Sequence, residues 1–124
     1  MIGYVTLGSN DLDRALAFYD ALLGDLGAKQ LMNDGRMVIY AREMDQPMVA
    51  ICKPFDGEAA TVGNGTMVAL AMEGPEAVDK LHARALELGA TDEGAAGPRA
   101  GGFYGGYFRD LDGNKLVAFC FVSS

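Results

Sequence analysis

The stretch RDLDGNKLVAFC, residues 109–120, joins a polar turn to an apolar run. Its aspartate, asparagine and glycine residues favour the backbone conformations of a tight turn. The apolar residues that follow are rich in strand formers, which predicts a nearly buried strand. A second run, Met48–Cys52, has the same character, since VAIC at 49–52 resembles VAFC at 117–120. This similarity indicates an internal repeat.

The repeat extends through both halves of the chain. An apolar strand pattern, Tyr4–Leu7 or Met67–Leu70, comes before a helical pattern in each half. Each helical pattern is followed by Leu-Gly-Ala, at Leu26–Ala28 and at Leu88–Ala90. Further strand patterns complete each half. We therefore predict an α+β fold made of two βαβββ modules.

The 124 residues are expected to form a single domain, since this length suffices for one core. Its halves are predicted to span residues 1–55 and 64–124, and the loop 56–63 joins them. One helix is expected to cover one face of a curved mixed sheet in each module. The other faces would then enclose a cleft, the usual place for a ligand pocket.

Residues 94–106 contain six glycines. This density predicts a mobile segment. The aromatic residues beside it, Phe103, Tyr104 and Tyr107, are candidates for a lid over the cleft.

The charge and the distribution of apolar residues argue against a nucleic-acid partner and a membrane location. The net charge is −7, which disfavours a nucleic-acid partner because phosphates require a basic surface. No apolar run is long enough to span a bilayer. We see no basic segment followed by an apolar core near the first residue, and we expect a cytoplasmic protein.

Cys52 and Cys120 are expected to be buried free thiols, with a disulfide as the less favoured alternative.

Several short motifs together resemble one known family. They are NDL at 10–12 with AFY at 17–19, GNGT at 63–66, and DLDGNKL at 110–116. Their order and spacing resemble the vicinal oxygen chelate superfamily, which includes glyoxalase I, extradiol dioxygenases and bleomycin-resistance proteins. The resemblance covers the whole chain, and PFDG at 54–57 is similar to small glyoxalase-like members. It also implies a homodimer.

The same resemblance implies where metal ligands would lie. Metal-dependent members take histidine and carboxylate ligands from the first and closing strands of each half. The matching positions here are Tyr4, Val49, Met67 and Val117, which do not form a credible site for a hard cation. The single histidine, His82, is expected to be a partly exposed helix residue. We therefore expect no bound metal and no cofactor.

Alternation along the strands places Val117, Phe119 and Phe121 on one face. The residues expected to line the cleft are Tyr4, Val49, Met67, Phe103, Tyr107, Val117 and Phe119. The alternative is that these side chains simply fill the core. Arg42, Lys53, Arg99 and Arg109 are candidates for binding a ligand carboxylate or phosphate, although surface solvation explains each of them more simply.

Three functions remain in competition. The leading hypothesis is a metal-free protein that binds a small apolar or aromatic molecule in the cleft. The alternative is a glyoxalase-like lyase, isomerase or dioxygenase with a non-standard site, in which Tyr4 or Tyr104 acts as a general acid. The third is a non-catalytic subunit that mediates assembly.

Overall fold

The computed structural model describes residues 1–123 and divides them into two compact units. The first module comprises residues 1–62, and the second begins at Gly63. Each contains one α-helix and four strands in the order βαβββ, which confirms the predicted α+β architecture. The elements are β1 (Tyr4–Gly8), α1 (Leu12–Gly24), β2 (Lys29–Asn33), β3 (Met37–Ala41), β4 (Met48–Cys52), β5 (Val68–Ala71), α2 (Pro75–Glu87), β6 (Thr91–Pro98), β7 (Phe103–Arg109) and β8 (Lys115–Phe121).

The two sheets have the same topology. The strand orders are β1-β4-β3-β2 and β5-β8-β7-β6. In each sheet the first strand runs parallel to the closing strand, and the other neighbours are antiparallel. The helix that follows the first strand covers one face, because its apolar residues recur at helical spacing. Within residues 1–123, neither α-helix is long and apolar enough to cross a membrane.

The helix α1 packs its apolar stripe on the first sheet. Its N-cap is Asp11, whose carboxylate accepts the Arg14 backbone N–H at 3.1 Å. The Tyr40 hydroxyl of β3 donates to Asp20 of α1 at 2.7 Å, so Tyr40 lies on the helix side. The core residues of this module that are at most 5 % exposed include Leu7, Ala15, Phe18, Tyr19, Leu22, Leu23, Val38, Tyr40 and Ile51.

The loop between the predicted halves is tied to the first module. The Ala60 N–H donates to the Asn10 side-chain oxygen at 2.7 Å, and the Asn10 amide donates back to the Ala60 carbonyl at 3.1 Å. These reciprocal bonds place Ala60 with the first compact unit. Cys52 and Cys120 are both buried and free, as expected from the sequence.

The polar turn of residues 110–114 is held by a buried carboxylate. Asp110 is 5 % exposed, and its Oδ1 accepts the backbone N–H groups of Asp112 and Asn114, each at 2.9 Å. Its Oδ2 accepts the Asn114 side-chain amide at 3.0 Å. Gly113 has φ 91°, which favours glycine. The turn connects β7 to β8, as the sequence predicts.

The glycine-rich segment differs from the expectation of a mobile stretch. Most of residues 94–106 lies in the paired strands β6 and β7, with a short 3₁₀ turn at Ala100–Gly102. Close packing explains part of the glycine content, because a Cβ at Gly106 would lie 2.9 Å from the His82 ring. His82 is consequently 6 % exposed, which corrects the expectation of a partly exposed residue.

Candidate functional site

The strand register of the second module separates two sets of side chains. On the helix side, the Tyr104 hydroxyl donates to Asp79 of α2 at 2.7 Å, and Gly106 lies against His82 of the same helix. Because side chains alternate along β7, Phe103 and Tyr107 lie on the opposite face. We call the face of each sheet opposite its helix the helix-free face.

The register of β8 adds residues to the same face. Val117 is paired with Tyr107, and Phe119 with Gly105. The sheet thus brings together four predicted site residues, namely Phe103, Tyr107, Val117 and Phe119.

Three phenylalanines on this face form a cluster. The rings of Phe103 and Phe119 are stacked, with centroids 5.3 Å apart and an interplanar angle of 2°. Phe121 meets both rings edge-on, at 5.7 and 5.8 Å. Phe121 is 72 % exposed, whereas the other two are half-buried. We refer to Phe103, Phe119 and Phe121 as the phenylalanine cluster. Strand alternation already placed Phe121 beside Phe119, so the sequence contained the signal for it.

Two positive charges lie close to the ring of Tyr107. The Arg99 guanidinium carbon and the Lys115 ammonium nitrogen are each 5.4 Å from the centroid of its ring. Both distances fall within cation–π range. Lys115 was missed as a site residue, although it alternates with Val117 and Phe119 along β8.

Two other predicted residues differ in their access to solvent. Val117 is fully buried, so its side chain presents no surface to a ligand. Met67 is 41 % exposed and precedes β5.

Tyr104 is not brought together with the other aromatic residues of the glycine-rich segment. Its side chain lies on the helix side, and its hydrogen bond to Asp79 raises the pKa of the phenol above the usual value. The carboxylate favours the protonated phenol because the phenol donates to it. Tyr104 is therefore a weaker acid than a free tyrosine, which does not favour the role of general acid considered from the sequence.

In the first module, Tyr4 and Val49 lie on opposite faces of the sheet. Val49 is paired with Tyr40 and therefore faces α1. Tyr4 is paired with Met48, one residue earlier, so it lies on the helix-free face, where it is 48 % exposed.

The sequence similarity aligns VAIC at 49–52 with VAFC at 117–120, but the structurally equivalent positions of the two strands differ from this alignment by one residue. The Ser9 N–H donates to the Cys52 carbonyl, and the equivalent bond in the second module runs from Met72 to Phe119 rather than Cys120. A one-residue shift moves every side chain to the other face. The structural equivalent of Val117 is therefore Ala50.

The positions that correspond to the family's metal ligands do not fit a metal ion. With the corrected register they are Tyr4, Ala50, Met67 and Val117. Ala50 and Val117 offer no donor atom, and a neutral phenol and a thioether are poor ligands for Zn²⁺, Ni²⁺ or Fe²⁺. Divalent transition metals in such sites require imidazole, thiolate or carboxylate ligands. Across the described residues 1–123, no group of three or more His, Cys, Asp or Glu is placed to hold a metal ion.

A cavity of about 270 Å³ lies elsewhere in the first module. It is lined by the β1–α1 turn and the residues after β4, including Ser9, Asn10, Leu12, Lys53 and Pro54. Lys53, a candidate considered from the sequence, contributes to this cavity.

Comparisons with known proteins agree with this architecture. Residues 1–118 match the model of the glyoxalase/bleomycin resistance protein/dioxygenase superfamily. A crystal structure of a glyoxalase/bleomycin resistance protein from Albidiferax ferrireducens is 37 % identical with a TM-score of 0.85, covering 97 % of this chain and 98 % of that one. No curated protein gives a significant match.

Two more distant structures share the fold. The hypothetical protein SA1046 from S. aureus is 26 % identical with a TM-score of 0.74, over 97 % of this chain and 92 % of that one. Lactoylglutathione lyase from Agrobacterium tumefaciens is 21 % identical with the same TM-score and the same coverage. The latter similarity concerns the fold alone. The family match over residues 1–118 shows that this chain belongs to the glyoxalase/bleomycin resistance protein/dioxygenase superfamily.

Proposed function

We propose that this protein binds a small apolar or aromatic molecule on the helix-free face of its second module, without a metal ion at the family's ligand positions. The observation that carries the proposal is the phenylalanine cluster. Single exposed apolar residues are common on protein surfaces, but a contiguous aromatic patch marks an interaction site. Phe121, at 72 % exposure, offers most of the accessible ring surface.

The arrangement of the rings favours a flat ligand. The parallel Phe103 and Phe119 rings and the edge-on Phe121 already show the two geometries that aromatic groups prefer. Binding of a small ring would remove about 100 Å² of apolar protein surface and a similar area of the ligand from water. This burial would contribute roughly 5 kcal/mol to the free energy of binding, before the entropy lost on association is subtracted. The cluster alone would therefore bind weakly, and tighter binding requires further contacts on the same face.

The chain contains no tryptophan, so an extrinsic fluorescent probe reports binding cleanly. We would use phenylnaphthylamine, a neutral aromatic probe whose emission rises in apolar surroundings. In Phe121→Ser, we expect the affinity for this probe to fall about fivefold or more, because the substitution removes the most exposed ring of the cluster.

A matched control is available in the first module. Phe55 is 90 % exposed, and its ring centroid lies 5.5 Å from the Arg36 guanidinium carbon of the same module. Phe55→Ser should leave the probe's affinity unchanged. Absence of binding to the unmodified protein, or an equal loss in both variants, would refute the proposal.

A further inference from the structure

We propose that the ligand of the phenylalanine cluster is an aromatic molecule with an anionic group, and that Lys115 and Arg99 bind this group beside Tyr107. This inference rests on the function proposed above and specifies the chemistry of its ligand. The class comprises aromatic carboxylates, sulfonates and phosphates.

The first argument is the convergence of two positive charges on one ring. Arg99 and Lys115 are each 5.4 Å from the Tyr107 centroid. Arg99 donates its hydrogens to the carbonyl oxygens of Ala95, Gly97 and Pro98, which are neutral acceptors. These bonds orient the guanidinium without neutralising its charge. A bound anion would neutralise it.

The charge of Lys115 is likewise uncompensated. Its ammonium contacts the Tyr107 ring, and among residues 1–123 no carboxylate lies within ion-pair distance of it. A third cation on the same strands, Arg109, provides the contrast, because its Nε donates to Glu93 at 2.8 Å. In a chain of net charge −7, these two cations place positive charge beside an aromatic patch. Such complementarity selects anionic partners.

The second argument is distance along the sheet. The Tyr107–Val117 pair and the Gly105–Phe119 pair occupy successive positions on the helix-free face. Residues two apart along a strand are separated by about 7 Å. Lys115 itself lies four residues, about 13 Å, from Phe119 along β8, but its ammonium lies 5.4 Å from the Tyr107 ring centroid. A small molecule with a ring against Phe119 can therefore place an anion beside that ammonium.

Two fluorescent probes with almost the same aromatic framework separate this inference from the proposed function. Anilinonaphthalenesulfonate carries a sulfonate, whereas phenylnaphthylamine is neutral. We expect Lys115→Gln to weaken binding of the sulfonate about three- to tenfold, since a half-buried charge contact is lost. Affinity for the neutral probe should be unchanged. Sulfonate binding should also fall with added salt, because salt screens exposed charges.

Two further variants keep the test specific. Lys115→Arg retains the charge and should retain most of the sulfonate affinity. Lys29→Gln removes the same charge from an exposed residue of β2 in the first module, and should have little effect.

The outcomes distinguish the two claims. If the neutral probe binds through the cluster but Lys115→Gln leaves sulfonate affinity unchanged, the anionic ligand is refuted and the aromatic site stands. If Lys29→Gln lowers sulfonate affinity as much as Lys115→Gln, overall charge is responsible and the inference fails. If neither probe binds, the proposed function fails and this inference fails with it.

Discussion

Replacing Gly106 by alanine tests whether the glycine-rich strands are packed rather than mobile. The added Cβ would lie 2.9, 3.0 and 3.1 Å from three atoms of His82, of which two belong to the ring. Carbon atoms in favourable contact lie about 3.5–4.0 Å apart. His82 or the strand β7 must therefore move when the methyl group is added.

The expected cost follows from overpacking against a buried side chain. His82 is 6 % exposed, and its Nε2 lies 3.2 Å from Asp92 Oδ1 and 3.1 Å from the Tyr107 carbonyl oxygen, which restrict its movement. Overpacking of this kind costs about 1–3 kcal/mol. Alanine also lowers the entropy of the unfolded chain, which offsets about 0.5–1 kcal/mol. The net loss for Gly106→Ala should be about 1–2 kcal/mol.

A double-mutant cycle with His82→Ala isolates the cause. Urea unfolding followed by far-ultraviolet circular dichroism would give the free energy of unfolding for each of the four proteins. His82→Ala removes the two ring atoms and keeps only the Cβ contact at 3.1 Å, so adding Gly106→Ala there should cost less. We expect a coupling energy of about 1 kcal/mol or more.

Gly24→Ala serves as the matched control. A Cβ at Gly24, the last residue of α1, meets no atom within 4 Å. This variant should be neutral or more stable by up to about 1 kcal/mol. An equal cost of Gly106→Ala with and without the His82 ring would refute the packing argument.

Two further predictions concern other buried polar groups. In Asp110→Ala, two backbone N–H groups that donate to this side chain at 2.9 Å lose their acceptor, so the free energy of unfolding in urea should fall by about 3 kcal/mol. Asp56 lies at an exposed turn and accepts one backbone N–H, so Asp56→Ala should lower the free energy of unfolding by under about 1 kcal/mol. Burial, followed by the hydrogen bond to Asp20, raises the pKa of Tyr40, so the folded state keeps a proton that the unfolded chain releases. Stability should therefore fall as pH rises above about 10, and a pH series of unfolding should show a shallower fall for Tyr40→Phe.

Local sequence signals determined the order of the helices and strands and the positions where several of them end. The turn at Asp110–Asn114 follows from aspartate, asparagine and glycine in adjacent positions, and the structure confirms it. The helices α1 and α2 end before the two Leu-Gly-Ala segments, as the repeat indicated. These features depend on contacts within a few residues, so the sequence alone was sufficient to predict them.

The candidate site depended more strongly on tertiary structure. The repeat suggested that Val49 is equivalent to Val117, whereas strand pairing makes Ala50 the equivalent residue and turns Val49 toward α1. Composition alone did not show that Gly106 accommodates the His82 ring. Each outcome depends on how strands far apart in sequence align.

The chemistry of the proposed ligand likewise depended on pairing between strands. Alternation along β8 was sufficient to group Phe119 with Phe121, because that periodicity is local. The convergence of Arg99 and Lys115 on Tyr107 joins residues of three separate segments, and no local pattern encodes it. Sequence determined which residue types alternate along each strand. Pairing register decided which of them meet, because a shift of one residue reverses the face of every side chain.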